Sequence, residues 1–308
     1  MTKIFIDGSA GTTGLRIYER LNARKDIDLI ILPEETRKDI DARKEALNSC
    51  DIAFLCLPDA AAIEAVALVE NENTAIIDTS TAHRVDPSWT YGFAELDFGR
   101  QREKIKTSKR IANPGCHASG FVALVEPLVK SGVLSKDVSL SCTSLTGYSG
   151  GGKKMIAEYE EEPDILLSAP RMYGLTQQHK HLKEMKSICG IEKLPLFAPI
   201  VAPFYSGMEV IIPLCADQLK GNIADIRAIY ADYYKNGLVN FVENPDEGGF
   251  LSACALSGRD DMQITVCGND ERILLVSRFD NLGKGASGAA IQNMNILLGV
   301  DDSTGLDL

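Results

Sequence analysis

Lys3-Ile4-Phe5-Ile6-Asp7-Gly8-Ser9-Ala10-Gly11-Thr12-Thr13-Gly14 decides the fold. A short apolar run, glycines spaced Gly-x-x-Gly-x-x-Gly and then apolar residues at helical spacing read as a strand, a tight turn and a helix. Glycines in such a turn let backbone approach a ligand closely, and the open N–H groups at the helix start favour a pyrophosphate. Any tight strand-to-helix turn favours glycine. It is the position directly after the first strand that marks the run Gly8, Ser9, Ala10, Gly11, Thr12, Thr13, Gly14 as a nucleotide site.

Outward from that turn, strands and helices alternate. Helices are expected over residues 14–23 and 60–70, and strands over 3–6, 28–32, 51–57 and 75–78. The strands are unbroken apolar runs, as when both faces of a parallel sheet are covered, so this half is an α/β unit with a Rossmann-type doubly wound parallel sheet. Beyond residue 116 the segments are longer and more strand-like: 138–144, 196–201, 208–216, 237–242, 262–267 and 273–279. They predict an α+β second domain with a mixed or antiparallel sheet. The glycine-rich run Tyr148-Ser149-Gly150-Gly151-Gly152-Lys153 reads as a mobile loop, with Lys153 and Lys154 able to meet an anion. A final helix over 289–298 is expected to pack back onto the first unit. The division that follows is 1–116 with 286–308 for dinucleotide binding, and 117–285 for the second domain.

The 308 residues are 45% hydrophobic and carry a formal charge of −11, which argues against nucleic-acid or anionic-membrane partners. No charged segment followed by a long apolar one opens the chain, and no apolar stretch is long enough to span a bilayer, so a soluble cytoplasmic protein is expected. The eight cysteines are scattered without a Cys-x-x-Cys pair, which points away from disulfides and structural zinc.

Two clusters carry chemistry. In Asn113-Pro114-Gly115-Cys116 a short strand (110–112) meets a Pro-Gly turn and a helix over 118–130. Cys116 falls in the first helical turn, where free N–H groups and the helix dipole lower a thiol pKa from about 8.5 toward roughly 3.5–7.5. A small buried hydrophobe is the competing reading of the same residue. In His179-Lys180-His181-Leu182-Lys183-Glu184, imidazoles suited to proton exchange flank one residue. They read equally as exposed rings at a helix start, and Glu184 alone completes no metal ligand set. Arg84, after the strand ending at Asp78, is an anion clamp or a surface ion pair. At the second strand Glu34 and Glu35 suit a ribose hydroxyl, whereas Arg37 or Lys38 suits a 2′-phosphate, and the basic pair favours NADP.

Together these residues resemble the N-acetyl-gamma-glutamyl-phosphate reductases of arginine biosynthesis, in their shorter form. The likeness runs through the Gly8–Gly14 turn, Leu57-Pro58, Asp78-Thr79-Ser80-Thr81-Ala82-His83-Arg84, the Cys116 turn, Tyr173-Gly174-Leu175 with His179-Lys180-His181, and Asp280-Asn281-Leu282-Gly283-Lys284-Gly285-Ala286. One departure is His117, where the family usually carries an aromatic. The resemblance implies NADPH-dependent reduction of an acyl phosphate through a Cys116 thioester, with His179, slightly ahead of His181, as acid and base. It implies coenzyme contacts at the glycine turn, Arg37, Leu57, Pro58, Ser80, Asn281, Gly283 and Lys284. Substrate contacts follow at Arg84, Asn113, Ser149, Lys153 and Glu184, with no metal, and the protein is expected to be a homo-oligomer, dimer or tetramer. The alternatives are an aspartate-semialdehyde dehydrogenase-like enzyme, which shares the chemistry, and a non-catalytic NADP-binding sensor.

Overall fold

The computed structural model describes residues 1–161 and 164–308. The first unit runs β1 (Thr2–Asp7), α1 (Thr12–Asn22), β2 (Ile27–Ile30), α2 (Ile40–Ser49), β3 (Ile52–Leu55), α3 (Asp59–Ala67), β4 (Ala75–Asp78), β5 (Thr90–Tyr91), α4 (Arg100–Thr107) and β6 (Arg110–Ala112). Its six strands are parallel in the order β2-β1-β3-β4-β6-β5. The order reverses beside β1, and crossover helices cover both faces. That is why Ile52–Leu55 and Ala75–Asp78 are buried at every position rather than alternately.

The chain continues through α5 (Cys116–Lys130), β7 (Ser141–Gly147), α6 (Gly152–Glu161), β8 (Arg171–Met172), α7 (His181–Cys189), β9 (Leu196–Ala202), β10 (Met208–Cys215), α8 (Ile223–Tyr233), β11 (Val239–Phe241), β12 (Met262–Gly268), β13 (Arg272–Phe279) and α9 (Gly288–Leu298). The second sheet, β11-β12-β13-β10-β7-β9-β8, is mixed, with antiparallel pairs β12/β13, β13/β10, β10/β7 and β9/β8 and parallel pairs β11/β12 and β7/β9. α5 is buried along nearly its whole length against this sheet and α7. α9 packs on α1, α4 and β4 and so returns to the first unit.

Two local expectations fail. The run 148–153 is not a loop: Tyr148–Gly151 is a 3₁₀ turn and Gly152 opens α6. Its glycines meet steric needs, since a Cβ on Gly151 would run into the Met155 side chain and Gly152 takes a positive φ of 73°. The strand expected over 138–144 lies at Ser141–Gly147, where the parallel pairing with Leu196–Ala202 sets its register.

Candidate active site

Where the two sheets meet, a cleft of about 430 Å³ is lined by both the α1 turn and the Cys116 turn. On the first wall, Gly8 takes a φ of 88° and its carbonyl accepts the Gly11 N–H at 3.0 Å. A Cβ on Gly8 or Gly14 would collide with backbone, so the turn is closed by the absence of side chains. Gly11 caps α1 in an extended conformation without a side-chain hydrogen bond. The first-turn N–H groups are therefore open toward the cleft, which Gly11, Thr12, Thr13 and Gly14 line. Gly8, Ser9 and Ala10 form the turn that leads there, outside the lining.

On the second wall Cys116 is the first residue of α5, capped by Gly115 without any side-chain bond. The side chain is half-buried. Burial pushes its thiol above the ordinary value, against the opposing pull of the His117 N–H, Arg84 and Lys180. The expectation of a thiolate at rest is thereby corrected: at this helix terminus desolvation outweighs the N–H groups and nearby cations.

The turn is held from beneath by an ion pair. Arg84 gives its Nε–H to the Asn113 carbonyl at 2.9 Å, its Nη2–H to the Thr79 carbonyl at 2.8 Å and its Nη1–H to Glu184 Oε2 at 3.0 Å. Glu184 Oε1 accepts the Gly115 N–H at 2.9 Å and the Tyr91 hydroxyl at 2.8 Å. Glu184 is 2% exposed and outside the cleft lining, so it holds the Cys116 turn rather than facing the cleft. A Cβ on Gly115 would strike both Arg84 Nη1 and His181 Nε2, which leaves glycine as the residue that fits.

His179 and His181 both line the cleft, but not as exposed rings. His181 is buried, and its Nδ1 has no hydrogen-bond partner among the described residues. Desolvation, with Arg84 and the neighbouring imidazoles adding to it, holds its pKa well below the usual histidine value; burial and Lys180 lower that of His179. Both rings are neutral at pH 7. His179 Nδ1 accepts the His181 N–H at 3.2 Å, so its proton sits on Nε2.

Leu57, Asn113, Ser149 and Asn281 also line the cleft. Asn281 bridges Ser149 Oγ at 3.0 Å and the Gly207 N–H at 3.0 Å, and Asn113 donates to the Ala286 carbonyl at 3.0 Å. Other expected contacts are placed elsewhere. Lys284 is 1% exposed and its ammonium is committed to Glu95 (2.7 and 2.9 Å) and Gln292 (2.5 Å), so it links elements inside the fold instead of reaching a coenzyme. Gly283 packs on the Arg259 carbonyl. Ser80 is bound to Asp78, which also takes His83 Nδ1 at 2.6 Å. Pro58 caps α3 outside the lining, Lys153 points to solvent on α6, and Arg37 pairs with Glu34 at 2.8 Å on the surface after β2. Tyr173 and Thr79, quoted above within motifs but given no role, also line the cleft, and Met155 lines it with no signal in the sequence to announce it.

Residues 3–108 match the family described as semialdehyde dehydrogenase, NAD binding domain, and residues 116–281 match semialdehyde dehydrogenase, dimerisation domain. The chain is 46% identical to "N-acetyl-gamma-glutamyl-phosphate reductase 2" of Nostoc sp., covering 99% of each sequence. It is 46% identical to N-acetyl-gamma-glutamyl-phosphate reductase of Brucella ovis over 96% of this chain and 99% of that one. Among solved structures, aspartate semialdehyde dehydrogenase II of Vibrio cholerae superposes with a TM-score of 0.74 at 15% identity, covering 97% of this chain and 98% of that one. The NADP complex of aspartate semialdehyde dehydrogenase from Candida albicans gives 0.66 at 15% identity, with 97% and 99% coverage. At that identity the likeness is one of fold. Cys116 turn, glycine turn and full-length sequence likeness agree: the chain belongs to the semialdehyde dehydrogenase family and, within it, groups with the N-acetyl-gamma-glutamyl-phosphate reductases.

Proposed function

We propose that this protein reduces N-acetyl-gamma-glutamyl phosphate to the semialdehyde and phosphate, with NADPH as the reductant. One observation carries the reading: Cys116, at the uncapped start of α5, shares a cleft with the uncapped start of α1 and with two neutral imidazoles. A sensor would need the glycine turn but not the rest.

The donor set suits a dinucleotide. The open N–H groups of α1 and the hydroxyls of Thr12 and Thr13 fit a pyrophosphate, Arg37 and Lys38 lie past β2 where a 2′-phosphate is received, and Leu57 lines the approach. When bound, the coenzyme supplies the hydride that reduces the acyl carbon.

The chain's own groups do the rest. The Cys116 sulfur bonds to the acyl carbon while its proton passes to an imidazole of the His179–His181 pair; the carbon–oxygen bond to phosphate breaks and a thioester remains. Because burial raises the thiol and lowers the imidazoles, this proton moves as the sulfur–carbon bond forms rather than beforehand. Arg84 and Lys180 supply positive charge beside the departing phosphate, and Ser149 with Asn281 presents polar atoms to the substrate. After reduction Cys116 leaves as the carbonyl re-forms and recovers its proton.

The separate sheets and the return of α9 support a division into 1–116 with 286–308 and 117–285. No helix among the described residues is long and apolar enough to cross a membrane; all eight cysteines are free thiols, which suits a reducing compartment and supports placing the protein in the cytoplasm. Exposed Ile165, Leu166, Met172 and Leu175, around edge strand β8, support a homo-oligomer. The test is phosphate-dependent reduction of NADP by N-acetylglutamate semialdehyde, run alongside aspartate semialdehyde. Cys116→Ser is expected to abolish the first while NADP still binds. A variant keeping most of the rate, or a preference for the aspartate compound, ends this reading.

A further inference from the structure

His117 follows the nucleophile but belongs to a separate chain of side chains. Its Nδ1 lies 2.7 Å from Ser144 Oγ on β7, and its Nε2 lies 2.6 Å from the Tyr173 hydroxyl. Burial, with His179 adding to it, lowers its pKa to about 3, so the ring is neutral and carries a single proton.

Counting donors fixes the direction of this chain. Ser144 is fully buried, and His117 is the one partner of its hydroxyl among the described residues. A buried hydroxyl hydrogen without an acceptor forfeits its bond to water and gains nothing in return. Ser144 therefore gives its hydrogen to Nδ1, which puts the ring proton on Nε2, and Nε2 gives it to the Tyr173 oxygen. That nitrogen cannot also accept from Tyr173. The phenol hydrogen is left without a partner among the described residues, on a side chain that lines the cleft with Cys116. Burial pushes the phenol above its ordinary value, so it remains protonated.

We propose that Tyr173, polarised by the Ser144–His117 chain, is a catalytic residue that donates a hydrogen bond to the substrate oxygen that turns negative as the Cys116 sulfur adds to the acyl carbon. The tyrosine keeps its proton throughout, and no bond to it forms or breaks. This assignment rests on the reductase reading and adds to it the group that stabilises charge on oxygen.

The first measurement reads the tautomer without activity. With only four histidines in the chain, multiple-bond ¹H–¹⁵N correlations of the ¹⁵N-histidine-labelled protein separate each ring. His117 is expected to carry its proton on Nε2 across pH 6–8; a proton on Nδ1 overturns the proposal. The second is kinetic. Tyr173→Phe is expected to lower kcat about 10²–10³-fold, the loss typical of one oxyanion donor, with KM for the semialdehyde within about threefold. His117→Phe keeps the tyrosine but removes the group that polarises it, and is expected to fall between the two. A Tyr173→Phe enzyme that loses less than about threefold in kcat, or that changes KM alone, overturns the proposal. Melting curves of both variants identify any that is misfolded, and the tautomer then decides. If wild-type protein shows no phosphate-dependent activity at all, the reductase reading fails while the tautomer result stands by itself.

Discussion

Removing the Glu184 carboxylate tests whether the nucleophile turn is held from behind. Glu184 is 2% exposed and Arg84 is 7% exposed, so Glu184→Ala strands a buried guanidinium. Breaking one side of a buried pair costs about 3–5 kcal/mol. The Gly115 N–H and the Tyr91 hydroxyl also lose their acceptor, although local relaxation and water entry offset part of that. At about 2 °C per kcal/mol for a chain of this size, the melting midpoint should fall by about 6–10 °C. Gly115 immediately precedes Cys116, and a shift of about 1 Å in the nucleophile costs about 10²-fold in kcat. Glu184→Gln retains an acceptor for the Gly115 N–H and the Tyr91 hydroxyl but turns an uncharged N–H2 donor toward Arg84, so it should lose comparable stability while keeping more of kcat. The assay pairs thermal melting with phosphate-dependent semialdehyde oxidation on the same preparations. A Glu184→Ala protein that melts within about 2 °C of wild type refutes the buried-pair argument. One that melts early yet keeps more than a third of kcat refutes the link from Glu184 to the sulfur.

Alkylation of Cys116 by iodoacetamide, followed by peptide mass spectrometry in the absence of ligands, should rise with pH through an apparent pKa above about 8.5, because burial raises the thiol; a rate already on its plateau below pH 8 would show a preformed thiolate. Burial alone would raise the Glu95 carboxyl, but Lys284, Gln292 and the Leu238 N–H hold it below the ordinary glutamate value. Its contribution to stability is therefore complete above the unfolded value of about 4.3 and is lost as pH falls through the lower folded value. Lys284→Met should cost about 3–5 kcal/mol at neutral pH and reverse that sign, since the unpaired carboxyl then binds a proton more readily folded than unfolded. Denaturant midpoints at pH 7.5 and 5.5 should show the gap to wild type narrowing at the lower pH, and a constant or widening gap refutes the pairing.

Periodicity and punctuation alone determined the strand, glycine turn and helix from Lys3 onward, because a covered parallel strand must be apolar on both faces and a tight turn must lack side chains. They also placed Cys116 at a helix start, since the Pro114-Gly115 turn is followed by apolar residues at helical spacing. Helices α2, α4 and α8 escaped notice: each buries only a few positions, and so shows little apolar periodicity. What tertiary structure alone decided were the partners and charge states. Glu184 and Arg84 are 100 positions apart, as Lys284 and Glu95 are 189 apart, and no local pattern announces that such charges meet in the interior. Lys284 was expected at the coenzyme and Glu184 at the substrate because the family resemblance carried those roles onto them; each is instead consumed by a buried partner. The protonation of Cys116 follows the same rule, for a helix terminus favours the thiolate locally, but desolvation depends on everything packed around it, and here desolvation wins.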